Sequence, residues 1–414
     1  MGKIACFFCL LVSLKINAQN DTTRVLFIGN SFTYVNNMPD LVQGLADAAH
    51  LPFKFVMYAP GGISVGDTAQ GTSAHMNNPI VFNLIRSDNW DFVCLQDNQG
   101  RFIYGNCHFP DTNVSKVVRG HLKIRDSVEM NHPCAHMLWF AGWGPKNGYP
   151  GYASTGSGLI DNIYDDYMCM NNTANEIISP IGKAWERELT ILPLVDLWGS
   201  DLTHPSLEGA YLTASVIFTS IFRINTEKVQ FYGGIDTVTA TTLRRIAYQT
   251  VMDSIVTTNL SHFLPDITVN SGSLSASTGY INYRWYQNDT LIDSSGVNTV
   301  SVATNGCYYV IATDSNGCSS RSVEKCTFPE NIGSLTLFDT INIFPIPADN
   351  LINIDMKRKV SGKIQLTDET GRIINEFEIP SNHFQIPIQE IPVGVYFITI
   401  RTSEGNFHQK ITKL

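Results

Sequence analysis

"RVLFIGNSFTYVNNMPD", residues 24–40, opens as an apolar run and breaks at Gly29-Asn30, immediately before a small hydroxyl residue, Ser31. Val25–Ile28 carries no polar alternation, so it reads as a strand buried on both faces, the kind found in parallel sheets covered by helices. A turn accounts for Gly29 and Asn30. It does not require Ser31, and the rest of the chain has to say whether that hydroxyl has partners.

Working outward, short apolar runs alternate with helix-like stretches to about residue 258. The strand candidates are Val25–Ile28, Phe53–Tyr58, Phe92–Gln96, His136–Ala141 and Ile191–Leu197. Between them Met38–His50, Pro79–Ser87, Val114–Glu129 and Thr173–Glu188 read as helices, and a last helix starts near Pro205. This alternation predicts an α/β fold of three layers (α/β/α) around a parallel, flavodoxin-like sheet. Ligands bind such sheets at the carboxyl ends of the strands, where Ser31 sits.

The texture changes after about residue 262. Residues 263–328 are rich in Ser, Thr, Asn and Gly, with alternating strands such as "YINYRWYQND" and "GCYYVIATDSNGC". With Trp285 in one strand and a hairpin turn at Asp314–Gly317, they read as a small Ig-like β-sandwich. Residues 336–414 form a third, all-β unit, with strands near 341–344, 351–355, 363–367, 373–378 and 395–400. The expected domains are therefore 21–262, 263–328 and 336–414, as befits 414 residues.

Hydrophobic residues make up 43% and charged residues 16%, which describes a globular chain. A net charge of −9 with no basic stripe argues against a nucleic-acid partner. No later apolar run is long enough for a transmembrane segment. Residues 1–18 read as a signal peptide: Lys3, the apolar stretch Ile4–Leu14, then Asn17-Ala18 with cleavage after Ala18. Removing Cys6 and Cys9 with it leaves seven of the nine cysteines in a disulfide-permissive setting. Cys94, inside an apolar run, reads as a buried free thiol. Cys107, Cys134 and Cys169 can supply one bridge. Cys307 and Cys326 flank the 314–317 hairpin and can close it, leaving Cys318 without an evident partner.

A serine becomes a nucleophile when a base takes its proton and a carboxylate fixes that base's tautomer. "WGSDLTHPSLEGAYLTASVIF", from Trp198, supplies both in Asp201 and His204, three apart, with Pro205 suited to a first helical turn. That spacing lets Asp201 reach Nδ1 of the ring and leaves Nε2 for Ser31. The segment follows the last predicted strand, so it lies on the same sheet edge as Ser31. An oxyanion also needs donors, each worth roughly 10²–10³ in rate. The Ser31 N–H is one. Gly62, in "APGGISV", is a second, because a glycine lets its N–H approach closely. Gln96 or Asn98, in "WDFVCLQDNQG", supplies the third.

"FIGNSFT", Gly62, the amide after the third strand and "DLTHPSLEG" together resemble the four sequence blocks of the SGNH (GDSL-like) hydrolases, over about residues 24–225. The resemblance implies a metal-free, cofactor-free esterase with Ser31 as nucleophile, His204 as base, Asp201 behind it, and Gly62 with Gln96 or Asn98 in the oxyanion hole. The third block departs from the usual Gly-x-Asn-Asp, having Gln96-Asp97-Asn98-Gln99. Some carbohydrate-esterase relatives place a glutamine there, which favours Gln96 and an acylated carbohydrate as substrate.

"WFAGWGPKNGYPGYASTGSG" reads as a long irregular loop whose Trp143, Tyr149 and Tyr152 either stack on a sugar or pack the loop down. Cys107-His108 and "HPCAH" lack the spacing of a metal site and are read as surface histidines and a disulfide, with no metal. Asp67 and His75 receive no role. The tail resembles the C-terminal sorting domain read by the type IX secretion system. The matching pieces are Pro345-Ile-Pro347 (where Asn-Pro is usual), Thr370-Gly-Arg372, Gly394-Val-Tyr396 and Lys410–Lys413. It implies the secretion machinery as a partner and a secreted or cell-surface location. The expectation is an exported serine esterase; a lipase or thioesterase of the same fold and a non-catalytic carbohydrate-binding protein are the alternatives.

Overall fold

The computed structural model describes residues 22–66, 68–105, 111–191, 195–270, 272–302, 304, 306–327, 341–344, 347–356, 361–368, 372–402 and 405–413. The segment 1–18 expected to be a leader, with Asp67, Cys107, His108, Pro345-Ile346 and Thr370-Gly371, lies outside the described residues. The chain divides into two compact units. The first holds the residues up to Thr268 with Ser275–Val300 and Cys307–Cys326; the second holds Val269–Leu274, Ser301–Gly306 and Thr327–Leu414.

Five strands build the parallel sheet: β1 (Thr23–Ile28), β2 (Phe53–Tyr58), β3 (Phe92–Leu95), β4 (His136–Phe140) and β5 (Ile177–Ser179), in the order β2-β1-β3-β4-β5. Every pairing is parallel, with Ile28 beside both Tyr58 and Leu95. Between and after them come α1 (Ser31–Tyr34), α2 (Met38–Ala48), α3 (Pro79–Ile85), α4 (Asp111–Asn131), α5 (Gly156–Ala174), α6 (Ile181–Ile191), α7 (Leu207–Phe222) and α8 (Thr237–Asp253). The continuous apolar strands now have their reason. Val25 and Phe27 face a core shared with α2, α6, α7 and α8. Leu26 and Ile28 face a second core with α3, α4 and α5. Each fully buried side chain of this size contributes roughly 1.5–3 kcal/mol. That burial, not intrinsic propensity, holds the seven-residue α3, which is too short to persist alone.

The fifth strand is not Ile191–Leu197. Ile191 closes α6, and Val195–Leu197 form no strand. The strand is Ile177–Ser179, inside the stretch expected to be one helix from Thr173 to Glu188. Asn175 explains the break: it takes a left-handed backbone, φ 55°, which asparagine tolerates. The Asn171 side chain then grips Glu176, accepting from its N–H at 2.9 Å and donating to its carbonyl at 2.7 Å. Helix α5 was hidden by glycines that the packing requires. A Cβ on Gly156 would lie 2.8 Å from the Trp198 ring. Helix α8 also went unpredicted.

The first unit continues in antiparallel strands, some of which have residues in both units. Strands β6 (Ile267–Asn270), β7 (Ser273–Ala276), β8 (Asn282–Gln287), β9 (Thr290–Asp293), β10 (Thr299–Ser301), β11 (Gly306–Thr313), β12 (Ser319–Arg321) and β13 (Lys325–Thr327) follow in order. The sheet β12-β11-β8-β9 buries Trp285 completely. Its hairpin turns at Asp314–Gly317, where Gly317 has φ 87°. Cys307 pairs with Cys326 as expected, and Cys94 is free and buried. The third expectation changes: Cys134 bridges Cys318, tying the loop before β4 to the end of that hairpin. Cys169 is disulfide-bonded as well. Arg321 donates to the Phe222 carbonyl at the end of α7, a second tie within this unit.

The second unit holds β14 (Ile341–Phe344), β15 (Leu351–Met356), β16 (Gly362–Asp368), β17 (Ile373–Glu378), β18 (His383–Pro387), β19 (Gly394–Thr402) and β20 (Gly405–Lys413). Two antiparallel sheets, β14-β15-β18 and β17-β16-β19-β20, share one core around Ile352, Ile354, Leu366, Ile398 and Ile400. Strands β18 and β20 were not read from sequence. Among the described residues no helix is long and apolar enough to cross a membrane.

Candidate active site

In the order β2-β1-β3-β4-β5 the connections change direction between β1 and β3, the kind of switch point at whose strand carboxyl ends parallel sheets bind ligands. Ser31 follows β1 and Gln96–Asn98 follow β3, so both segments border it.

The third segment arrives at the turn before α7. Asp201 Oδ1 accepts the N–H groups of Thr203 and His204, each at 2.9 Å, which folds the turn back on itself. Leu202 sits at φ 59° inside it. Asp201 Oδ2 then lies 2.5 Å from His204 Nδ1. His204 Nε2 lies 2.7 Å from Ser31 Oγ. The hydrogen bond from the imidazole, with those from the two backbone N–H groups, holds the Asp201 carboxyl down at about 2. Pro205 is not in the first helical turn as expected. It bridges Trp198, and Ser206 caps the helix by accepting from Gly209 N–H at 3.0 Å.

Hydrogen bonds lace the three loops after β1, β2 and β3 to one another. Asn30 Oδ1 caps Phe32 N–H, and its Nδ2 donates to the Ile63 carbonyl at 3.0 Å. Gln96 Oε1 accepts from Asn30 N–H at 2.7 Å and from the Thr33 hydroxyl at 3.1 Å. Asp97 Oδ1 accepts from Val65 N–H at 2.7 Å. Burial lowers the pKa of His75, and because the Gly29 carbonyl can only accept, the ring donates to it from Nε2 at 2.8 Å. Gly29 has no room for a side chain, since a Cβ would meet Thr33 Oγ1 at 2.2 Å.

Two expected roles change. Gln96 has no free amide group for an oxyanion: it is fully buried, its Oε1 is taken by the Ser31 turn, and its Nε2 donates to the Asp97 carbonyl. Asn98 is partly exposed. Its Oδ1 accepts from Gly100 N–H, leaving Nδ2 unengaged among the described residues. Trp143 is not a substrate platform either. It is fully buried, stacks on Trp185 with centroids 3.8 Å apart, and donates from Nε1 to the Thr203 carbonyl at 3.1 Å. The aromatic loop thus packs down at its root and opens at its tip, where Tyr149 and Tyr152 are 45% and 46% exposed. Gly62 has φ 71°, a conformation that suits glycine. Cys134 of "HPCAH" is in its disulfide, and burial with the nearby Arg223 charge pushes His136 down to about 4.

Sequence reasoning missed Asn30, Asn36, His75 and Asp97. Asn36, at φ 56°, donates from Nδ2 to the Pro205 carbonyl at 2.9 Å, joining the nucleophile segment to the histidine turn. Consecutive asparagines after a strand end, "VNNM", were the available signal, because asparagine accepts left-handed backbone.

Residues 342–413 match the family model described as a secretion system C-terminal sorting domain. The tail is therefore an address for export, read by secretion machinery. No curated protein is similar to the chain in sequence. Among solved structures, a DUF4886 family protein from Bacteroides uniformis is 16% identical, with a TM-score of 0.46, covering 56% of this chain and 95% of that one. A putative GDSL-like lipase from Parabacteroides merdae is 14% identical, with a TM-score of 0.35 and coverages of 48% and 94%. An acetyl xylan esterase, AlAXEase, is 14% identical, with a TM-score of 0.36 and coverages of 48% and 100%.

Proposed function

We propose that the chain is an exported serine esterase that removes acetyl or another small acyl group from a carbohydrate. One observation carries the reading: the unbroken relay from Asp201 to His204 at 2.5 Å and on to Ser31 Oγ at 2.7 Å. Asp201, ionised down to about pH 2, keeps the proton of the imidazole on Nδ1. Nε2 is then the free base. Ser31 Oγ attacks the ester carbonyl as its proton passes to Nε2, and the carbonyl π electrons move to oxygen. The Ser31 N–H, the Gly62 N–H and Asn98 Nδ2 are the donors assigned to that oxyanion. Collapse expels the alcohol, which takes the proton from Nε2. Water then attacks the acyl carbonyl as its proton passes to Nε2, and collapse of this second tetrahedral intermediate breaks the C–O bond to Ser31, whose Oγ takes the proton back from Nε2 as the carboxylic acid leaves.

The carbohydrate preference is supported by the exposed Tyr149 and Tyr152, the latter edge-on to Tyr104 with ring centroids 5.2 Å apart. Exposed aromatic faces of this kind suit the apolar faces of sugars. The leader at 1–18 and the tail fit passage across two membranes, with removal of the tail. Acetate release from acetylated polysaccharides, compared with acyl release from acyl-glycerols, tests the substrate. Faster turnover of the sugars is expected. Equal rates on both would remove the carbohydrate assignment, and no turnover of either would remove the esterase.

A further inference from the structure

The loops after β2 and β3 carry two of the three donors assigned to the oxyanion, yet neither belongs to a regular element. Something has to hold Gly62 and Asn98 at a fixed separation. Asp97, next to Asn98 in the chain, is fully buried and is hydrogen-bonded to the loop that carries Gly62. Its Oδ1 accepts two backbone N–H groups, from Val65 at 2.7 Å and from Asn98 at 2.7 Å. The first is three residues beyond Gly62, and the second belongs to Asn98 itself.

A buried carboxylate is costly unless its oxygens are satisfied by donors. The groups facing Asp97 are not cations. His121, packed against it from α4, has Nδ1 4.0 Å from Oδ2, but that nitrogen donates to the Val117 carbonyl at 2.9 Å. Burial lowers the pKa of His121 and of His75 and so disfavours a charge on either ring. Tyr167 of α5 is also buried and keeps its proton. Oδ2 has no hydrogen-bond partner. A fold that only needed to fill this volume would place an apolar side chain here. What the Asp97 side chain supplies instead is an acceptor that meets two loops at once.

We infer that Asp97 is the positioning residue of the oxyanion hole, fixing the Gly62 loop and Asn98 against each other through a single shared acceptor. The inference rests on the esterase reading. Asp97 touches no reacting atom and acts through Asn98 and the Gly62 loop. Charge is secondary in this role, so an asparagine, which keeps the oxygen, substitutes far better than an alanine.

The test is steady-state hydrolysis of p-nitrophenyl acetate by the full chain and its variants, with thermal melting alongside. Asp97→Ala is expected to lower kcat about 10²-fold, the loss of roughly one well-aimed donor, while KM moves by less than about threefold. Asp97→Asn is expected to recover most of that loss. In an Asn98→Ala background, Asp97→Ala is expected to cost less than about tenfold, because its main route is already gone. Should Asp97→Ala not fold, amide hydrogen exchange of the wild type decides instead, and the Val65 and Asn98 N–H groups are expected to be protected. Full kcat in a folded Asp97→Ala variant, additive losses in the double variant, or rapid exchange at either amide would overturn the inference. Each leaves the esterase reading standing as long as the wild type turns over.

Discussion

Asp201→Asn is the most instructive single change. The turn around Asp201 decides how the new amide must sit. Its oxygen is required at the Oδ1 position, where Thr203 and His204 N–H both donate at 2.9 Å. The amide nitrogen then falls where Oδ2 was, 2.5 Å from His204 Nδ1, and presents N–H to it. That ring nitrogen must now accept, so the proton moves to Nε2 and points at Ser31 Oγ. The base is lost although no atom has moved far. In Ser-His-Asp proteases the same exchange costs about 10⁴ in kcat. Here Asp201 is 52% exposed, so water stands in for part of its effect, and a fall of about 10³–10⁴ is expected. The assay is kcat for p-nitrophenyl acetate, with circular dichroism and melting temperature to show that the fold is kept. A folded Asp201→Asn enzyme within tenfold of wild type would refute the tautomer argument.

Three further outcomes are expected. Asn98→Ala should lower kcat by roughly 10²–10³ with the melting temperature held, whereas Gln96→Ala should lower the melting temperature as well, because the Asn30 N–H and the Thr33 hydroxyl lose their acceptor. Replacing Cys134 and Cys318 by serine opens a crosslink spanning 184 residues, which by the loop-entropy argument is worth up to about 5 kcal/mol; melting should fall sharply in calorimetry while kcat at moderate temperature stays, since Cys134 precedes β4 and Ser31 follows β1, at opposite ends of the parallel strands. Burial and the Asp196 charge push Glu188 up to about 8. The folded state thus keeps a proton that the unfolded chain releases above its ordinary carboxyl range, so stability falls as pH rises from about 4.5 towards 8; Glu188→Gln should flatten that slope in melts between pH 5 and 8.

The sequence-derived reading succeeded where local pattern and tertiary role coincide. Continuous runs such as Val25–Ile28 and Phe92–Leu95 are buried on both faces, and only a covered parallel sheet does that. Ser31, Asp201 and His204 do meet, but the last two arrive from the turn before α7 and not from the end of the strand expected at Ile191–Leu197. Reading failed where a short element was decided by a single asparagine or glycine. Ile177–Ser179 was absorbed into a helix because Asn175 gives no warning of its left-handed backbone, and Gly156 masked the start of α5. Gln96 and Asn98 differ by one turn of loop, and only the positions of Asn30 and Thr33 decide which amide is consumed in holding the chain. Trp143 gave no sequence sign of being buried under Trp185. The Cys134–Cys318 bridge joins segments far apart in sequence, and spacing carries no information about it.

The central claim is that the Ser31 hydroxyl is an activated nucleophile, and covalent labelling tests it most directly. Wild-type protein treated with a fluorophosphonate should gain one adduct, mapped by mass spectrometry to Ser31, and the His204→Ala variant should label at least about 10²-fold more slowly. An unlabelled wild type, an adduct on another residue, or equal labelling without the imidazole would contradict the account.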